Sequence, residues 1–264
     1  MNFYAIIPAR YASTRFPAKP LAFLAGKPII QHVYERVSKI VDKTYVATDD
    51  ERISNVVEGF GGRVIMTAST HPSGTDRCRE AYEKIKAAER VSADNGSENG
   101  EDNECDVVIN VQGDEPFIHA SQLEGLMHCF DIADTQIATL VKPFTPADGI
   151  AALKNPNSPK VVVGNEMQAL YFSRSVVPFL RNFPEEEWLQ HHTFYKHIGI
   201  YAYRAEVLRQ ITEMPQGTLE KSESLEQLRW LEAGFCIRVG TTDIETIGID
   251  TPADLERAEQ FLKR

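Results

Sequence analysis

The sequence predicts an α/β fold, a mainly parallel sheet flanked by helices. Three observations carry the prediction. Apolar runs of strand length alternate along the chain with apolar residues at helical spacing. The 264 residues, 42% of them hydrophobic, suffice for one large domain with a sizeable core. The first apolar run opens into a loop dense in cations and prolines, at the edge where sheets of this class bind ligands.

Residues 3–7 (FYAII) have the length and make-up of a buried strand. The stretch IIPARYASTRFPAKPL at 6–21 then places Arg10, Arg15 and Lys19 close together, with Ser13 and Thr14 between the arginines. Pro8, Pro17 and Pro20 keep this stretch out of helix. Residues 25–28 read as a turn in which Pro28 opens a helix, its apolar face made by Ile29, Ile30, Val33, Val37 and Ile40. Residues 44–48 are the second strand. Asp49 or Asp50 caps the next helix, which buries Ile53, Val56 and Val57 and ends in the glycines at 59, 61 and 62. A third strand at 63–66 and a loop at 67–73 lead to a helix beginning at Gly74-Thr75-Asp76 and running to Ile85.

Residues 92–104 (SADNGSENGEDNE) hold one apolar residue, Ala93, and read as a mobile acidic surface loop. Such a composition cannot bury enough surface to offset the entropy of ordering. Residues 107–111 are a continuous apolar strand ending in Gln112-Gly113-Asp114-Glu115-Pro116. Ser121 is placed to cap a helix containing Leu123, Leu126 and Met127. Strands follow at 136–141, 160–163, 169–172 and 197–203, the last two forming a smaller part with the segment between them. Residues 220–233 read as one helix stopped by Gly234, and 236–239 as the last strong strand. Thr251-Pro252 opens a terminal helix through Leu262. No internal repeat or linker is evident, so 1–264 reads as a single domain.

The formal net charge is −10, and residues 89–106 alone hold seven acids against one base. No basic stripe is present, so no nucleic-acid partner is expected. The four cysteines are scattered without a C-x-x-C pair, which indicates neither a zinc site nor a redox motif and fits a reducing compartment. The N-terminus lacks a basic n-region and a long apolar stretch, and nothing approaches 18 apolar residues in a row. A cytoplasmic chain without a membrane span is the expectation.

Fixed cations, hydroxyls and backbone N–H groups in the first loop suit a polyphosphate, whose oxygens accept charge-assisted hydrogen bonds. The alternative for that loop is a solvated basic surface. G-x-x-x-x-G-K-[ST] and G-x-G-x-x-G are both absent, which disfavours P-loop kinases and dinucleotide enzymes. No Asp-x-Asp follows a central strand. Asp114, after a buried strand, and Asp250, after Ile247-Gly248-Ile249, both leave apolar runs and are candidate metal ligands. For Asp114 the alternative is a turn or cap; for Asp250 it is the N-cap of the last helix.

Seven segments together carry a family resemblance: the opening stretch, SGTDR, NVQGDEP, ALYFSRS, KHIGIYAYR, SLEQLRWLE and GIDTPADLE. They run from residue 6 to about 257, and the chain resembles along its length the cytidylyltransferases that activate 3-deoxy-manno-octulosonate (Kdo), a sugar acid of bacterial lipopolysaccharide. The resemblance implies a Rossmann-like sheet of nucleotide-sugar transferase type with a smaller substrate-side subdomain. It implies the partners CTP and Kdo, a homodimer, and Mg²⁺ held by Asp114 and Asp250. It assigns catalytic roles to Arg10, Arg15, Lys19, Asp114 and Asp250. Nucleotide contacts fall on Pro8, Ala9, Arg10, Ser13, Lys19 and Ser73, and sugar contacts on Gln112, Arg174, His197, Tyr201, Glu226 and Gln227.

Taken singly, several of these residues suit plainer roles. Tyr201 fits packing, His197 a structural position, Glu226 and Gln227 a solvated helix face, and Ser73 a capping box. Magnesium chemistry agrees with the assignment: the ion takes oxygen ligands, one or two carboxylates plus substrate phosphates. In the implied reaction the anomeric hydroxyl of Kdo attacks the α-phosphorus of CTP in line and pyrophosphate leaves. Asp114, Asp250 and metal-bound water are the candidates for a general base. The segment at 92–104 departs from the family, whose connection there is shorter. Rival readings are a synthetase for an amino-substituted Kdo or for a sialic-acid type sugar, and a non-catalytic nucleotide-binding regulator. The sialic-acid family opens with Gly-Gly where Tyr11-Ala12 stand here. Retention of Asp114 and Asp250 argues against the regulator.

Overall fold

Residues 4–7 are apolar without alternation, a pattern that requires cover on both faces of a strand. The computed structural model, in which residues 1–12, 16–93, 106–245 and 248–262 are described, provides that cover: Tyr4, Ala5, Ile6 and Ile7 are all fully buried. In chain order the elements are β1 (Asn2–Ala9), β2 (Phe23–Leu24), β3 (Lys27–Pro28), α1 (Ile29–Val37), β4 (Lys43–Thr48), α2 (Glu51–Gly59), β5 (Val64–Met66), α3 (Gly74–Ala93), β6 (Asp106–Asn110) and α4 (Ala120–His128). There follow β7 (Ile137–Pro143), α5 (Gly149–Lys154), β8 (Lys160–Val163), β9 (Ala169–Ser173), α6 (Trp188–His191), β10 (Tyr195–Arg204), α7 (Ala205–Glu213), α8 (Thr218–Glu223), α9 (Gln227–Glu232), β11 (Ile237–Thr241) and α10 (Pro252–Leu262).

The chain divides into two compact units, each discontinuous in sequence. The first comprises Met1–Leu123, Ala202–Thr212 and Thr246–Arg264. Its strands run β6-β1-β4-β5, all parallel, so the ends of β1 and β6 open on the same edge. Helices α1 and α2 bury Ile29, Ile30, Val33, Val37, Ile53 and Val57. Burying a side chain of this size contributes roughly 1.5–3 kcal/mol. A satellite cluster of Leu24, Ile29, Ile249 and Ala258 packs the β2–β3 hairpin and α10 against the start of α1. The second unit comprises Glu124–Tyr201 and Glu213–Glu245. Here β11 pairs parallel with β7, and β8 pairs antiparallel with both β9 and β10. It is larger than the part expected from residues 169–203, because β7, β8 and β11 belong to it too.

Several boundaries differ from those expected of the sequence, for identifiable reasons. Asp50, not Asp49, caps α2 by accepting from Arg52 N; Asp49 instead pairs with the buried Arg77. Ile40 lies beyond the end of α1. Helix α3 continues past Ile85 to Ala93, so residues 92 and 93 form its end, and the rest of the acidic segment lies outside the described residues. Ser121 sits inside α4 and meets the His119 imidazole, while the Gln122 side chain accepts from His119 N at the helix start. Helix α7 follows β10 without a capping residue to announce it.

The helix expected over 220–233 is two helices, α8 and α9. Between them Ser224 takes a left-handed conformation with φ of 51°, which is unfavourable for a residue with a Cβ. The cause lies about fifty residues upstream. The Arg174 side chain takes the carbonyls of Glu223 and Ser224, which a continuous helix would have used in its own ladder.

Candidate active site

In the first unit, the end of β1 and the turn after β6 line a cavity of about 370 Å³. Pro8, Ala9, Arg10, Lys19, Gln112 and Asp114 all face it. Gly113 is required for this close approach: a Cβ there would meet Pro8 O at 2.9 Å. Gly74, at the start of α3, also lines the cavity and lies near Pro8. Arg10 Nη2 donates to His71 O, which anchors that guanidinium above the strand end. Ser13 and Arg15 lie outside the described residues. Ser73, beside Gly74, uses its hydroxyl to cap α3: Asp76 N donates to Ser73 Oγ, which in turn donates to Asp76 Oδ2.

Lys19 ends the loop in a turn entered through Ala18, whose φ is 57°. Its ammonium lies between two carboxylates, 2.5 Å from Asp114 Oδ2 and 3.1 Å from Asp250 Oδ1. Burial alone would push this ammonium down, but the attraction of Asp114 and Asp250 holds it above its ordinary value. Asp250 is brought there by its neighbour: Ile249 N donates to Asp114 O at 2.9 Å, and the Ile249 side chain is fully buried in the satellite cluster.

The cap of α10 is Thr251, whose Oγ1 accepts from Asp254 N. The Asp254 carboxylate accepts in return from Thr251 N, Thr251 Oγ1 and Asp250 N. This is the reciprocal box that opens a helix, and the Asp250 carboxylate meets Lys19.

Two carboxylates converging on one cation form a hard-oxygen donor set, and the Lys19 nitrogen marks where positive charge is stabilised. That arrangement fits a divalent ion of the magnesium type, which binds few carboxylates and keeps its remaining positions for phosphate oxygens and water. Next to this pair stands Glu115, a group that the sequence does not announce. Its Oε2 is buried without a partner among the described residues, and burial with the neighbouring Asp114 charge pushes its carboxyl up to about 8. Nothing in Gly-Asp-Glu-Pro distinguishes it from a surface glutamate.

In the second unit the remaining sugar-side residues fall into two adjoining groups. His197 and Tyr201 lie on β10, with the imidazole against the rings of Phe172 and Tyr201 at centroid distances of 5.2 and 5.3 Å. Thr139 Oγ1 donates to Ile200 O at 2.7 Å and lies in hydrogen-bond contact with His197 Nε2 at 3.1 Å. Burial pushes the imidazole down to about 3 and the Tyr201 hydroxyl well up, the latter helped by the Glu226 carboxylate.

The second group surrounds the Ser224 bend. Arg174 donates from Nε to Glu223 O, from Nη1 to Pro156 O and from Nη2 to Ser224 O. Glu226 pairs with Arg229 at 3.2 Å, and Gln227, 5% exposed, has its Nε2 donor without a partner among the described residues. A buried unpaired donor is costly unless something satisfies it. The bend therefore makes Gln227 a buried polar group, not the solvated face that a continuous helix would give it.

Comparison with known proteins agrees along the whole chain. The sequence pattern of the cytidylyltransferase family matches residues 4–247. A 3-deoxy-manno-octulosonate cytidylyltransferase of Phocaeicola vulgatus is 62% identical over 264 residues, which is 100% of this chain and 98% of that protein. One from Bacteroides thetaiotaomicron is 60% identical over 263 residues, covering 100% and 99%. The solved structure of a CMP:2-keto-3-deoxy-manno-octonic acid synthetase complexed with CTP superposes with a TM-score of 0.85 at 40% identity, covering 100% of this chain and 99% of that one. The chain belongs to the cytidylyltransferase family and, within it, to the 3-deoxy-manno-octulosonate cytidylyltransferases.

Proposed function

We propose that this chain is a nucleotidyltransferase that converts CTP and Kdo to CMP-Kdo and pyrophosphate, acting as one catalytic domain over 1–264 and serving lipopolysaccharide synthesis. The observation that carries the reading is the Lys19 ammonium held between Asp114 and Asp250 beside the cavity that Pro8, Ala9 and Arg10 line. The cavity takes the nucleotide, with backbone at the end of β1 against it and Arg10 and Lys19 toward the phosphates. The anomeric hydroxyl of Kdo forms a bond to the α-phosphorus as the bond to the β-phosphate oxygen breaks on the opposite side. The hydroxyl proton is lost to solvent or a nearby carboxylate, and pyrophosphate carries away the electron pair of the broken bond.

Positioning and charge neutralisation then supply most of the rate, as attack at phosphorus needs no covalent nucleophile. Asp114 and Asp250 would hold Mg²⁺, which when bound neutralises phosphate charge and polarises the phosphorus centre. Arg174, His197, Tyr201, Glu226 and Gln227 recognise the sugar acid. The chain works as a homodimer in the cytoplasm. Exposed apolar side chains on the second unit, Leu170 at 55% and Phe179 at 71%, support self-association. The nucleotide substrate and the thiols of Cys129 and Cys236 support the compartment. Among the described residues no helix is long and apolar enough to cross a membrane.

The test is pyrophosphate release from CTP with a panel of sugar acids, with and without magnesium, alongside light scattering for mass. Release with Kdo well above release with sialic acid, dependent on magnesium, is expected. No release with any sugar acid would reduce the chain to a nucleotide binder.

A further inference from the structure

Lys160 lies on β8 with Ser173 of β9 and Lys196 of β10 as its register partners, and it is fully buried. Its Nζ donates to three backbone carbonyls: Asn155 O at 3.0 Å, Ser158 O at 2.9 Å and Arg174 O at 2.6 Å. A neutral amine has two hydrogens, so three donated bonds require the ammonium. Carbonyls solvate that charge without cancelling it. The charged groups beside it are Glu223 and Arg174. The Glu223 carboxylate accepts from Ser173 Oγ at 2.6 Å and from Arg174 N at 2.9 Å. Glu226, the next acid along, is turned to Arg229. Two cations, Lys160 and Arg174, thus face one carboxylate.

The surplus positive charge is shared between the fully buried Lys160 and Arg174, which reaches solvent, so the local potential favours an anion over an uncharged group. The function proposed above supplies one, the C1 carboxylate of the sugar acid, and the inference rests on that reading. The same ammonium also joins the turn at 155–158 to the backbone of Arg174, whose side chain holds the Ser224 bend that precedes Glu226 and Gln227.

We propose that Lys160 is a positioning residue for acidic sugars: without touching substrate, it fixes the Arg174 backbone and leaves one net positive charge beside Arg174. It determines preference for a carboxylate over an uncharged analogue.

The experiment compares the wild-type chain with Lys160→Met and Glu223→Gln. For each, kcat and KM are measured for CTP, for Kdo and for Kdo whose C1 carboxylate is replaced by a carboxamide, with thermal unfolding alongside. In Lys160→Met the KM for Kdo should rise about tenfold or more while the KM for CTP stays unchanged, and the preference for acid over amide should shrink. In Glu223→Gln, which removes the opposing charge, that preference should grow. A merely structural role would weaken acid and amide alike. If Lys160→Met fails to fold, the direction of change in Glu223→Gln decides. Active wild type with an unchanged preference in the folded variants overturns this proposal alone; inactive wild type overturns the proposed function and this inference with it.

Discussion

The backbone N–H of Ile249 donates to the carbonyl of Asp114 across 2.9 Å, joining two segments 135 residues apart in sequence. Each of the two carboxylates that meet Lys19 adjoins or belongs to a residue of that bond. The backbone that carries the pair is therefore held by main chain and by the buried Ile249 side chain.

Asp250 and Thr251 should separate cleanly. Asp250→Asn is expected to keep its melting temperature, because Thr251 and Asp254 cap α10, and to lose several decades of turnover because the amide lacks the charge that balances a cation. Thr251→Ala should do the reverse, losing about 1 kcal/mol of stability with turnover nearly intact. Turnover and unfolding across a magnesium titration check both. An Asp250→Asn protein with wild-type turnover at every magnesium concentration would remove Asp250 from the proposed metal site.

Arg10→Ala should lower kcat/KM for CTP by about one to two decades, the scale of a charge-assisted hydrogen bond worth roughly 1.5–3 kcal/mol. The KM for Kdo should change little. Steady-state pyrophosphate release with each substrate varied in turn measures the split, and an unchanged kcat/KM for CTP would place Arg10 outside the phosphate site.

Gly113→Ala forces a methyl to within 2.9 Å of Pro8 O, a backbone atom that cannot rotate away. The strand end must shift, at a cost of about 1–3 kcal/mol, and the floor of the nucleotide cavity shifts with it. Denaturant unfolding and CTP titration should both register the change. Full stability would mean that the β1 and β6 ends separate easily.

The His197 ring has a pH signature. Its folded value, about 3, lies below the ordinary value of 6.5, so between those limits the unfolded chain binds the extra proton. The neutral ring's contribution is fully present above about pH 6.5 and is lost as pH falls toward 3. His197→Gln should flatten the decline of stability over that window. Unfolding free energies at intervals of half a pH unit for both proteins decide it; parallel curves would mean that the ring is solvated.

How legible the molecule was in its sequence depended on distance. The apolar run of β1, the Asp50 turn and the Pro252 helix start are local signals, and they placed their elements to within a residue or two. Asp250 had two sound local readings, cap and metal ligand, and the Thr251–Asp254 box beside it depends on a side chain one turn on. The break at Ser224 had no local sign strong enough to read, because Arg174 imposes it from another strand. Lys160 carried no signal at all: an isolated lysine in a valine-rich strand reads as an edge residue, and its role rests on carbonyls contributed by three separate positions. Family resemblance found the residues matched by motif and passed over Glu115, Lys160 and Glu223, whose importance lies in what they are buried beside.

The lysine between Asp114 and Asp250 also bears on how the protein survives between turnovers. Like-charged groups brought together would repel, and a fold that relied on a divalent ion to quiet them would loosen whenever that ion was scarce. Lys19 is tethered to the chain and cannot be washed away or chelated. The resting protein should then melt at the same temperature in the presence of a strong chelator as in magnesium alone, with a magnesium effect emerging only once nucleotide is added. On this reading the resting stability of the site is set by Lys19 and is separable from any binding of an ion.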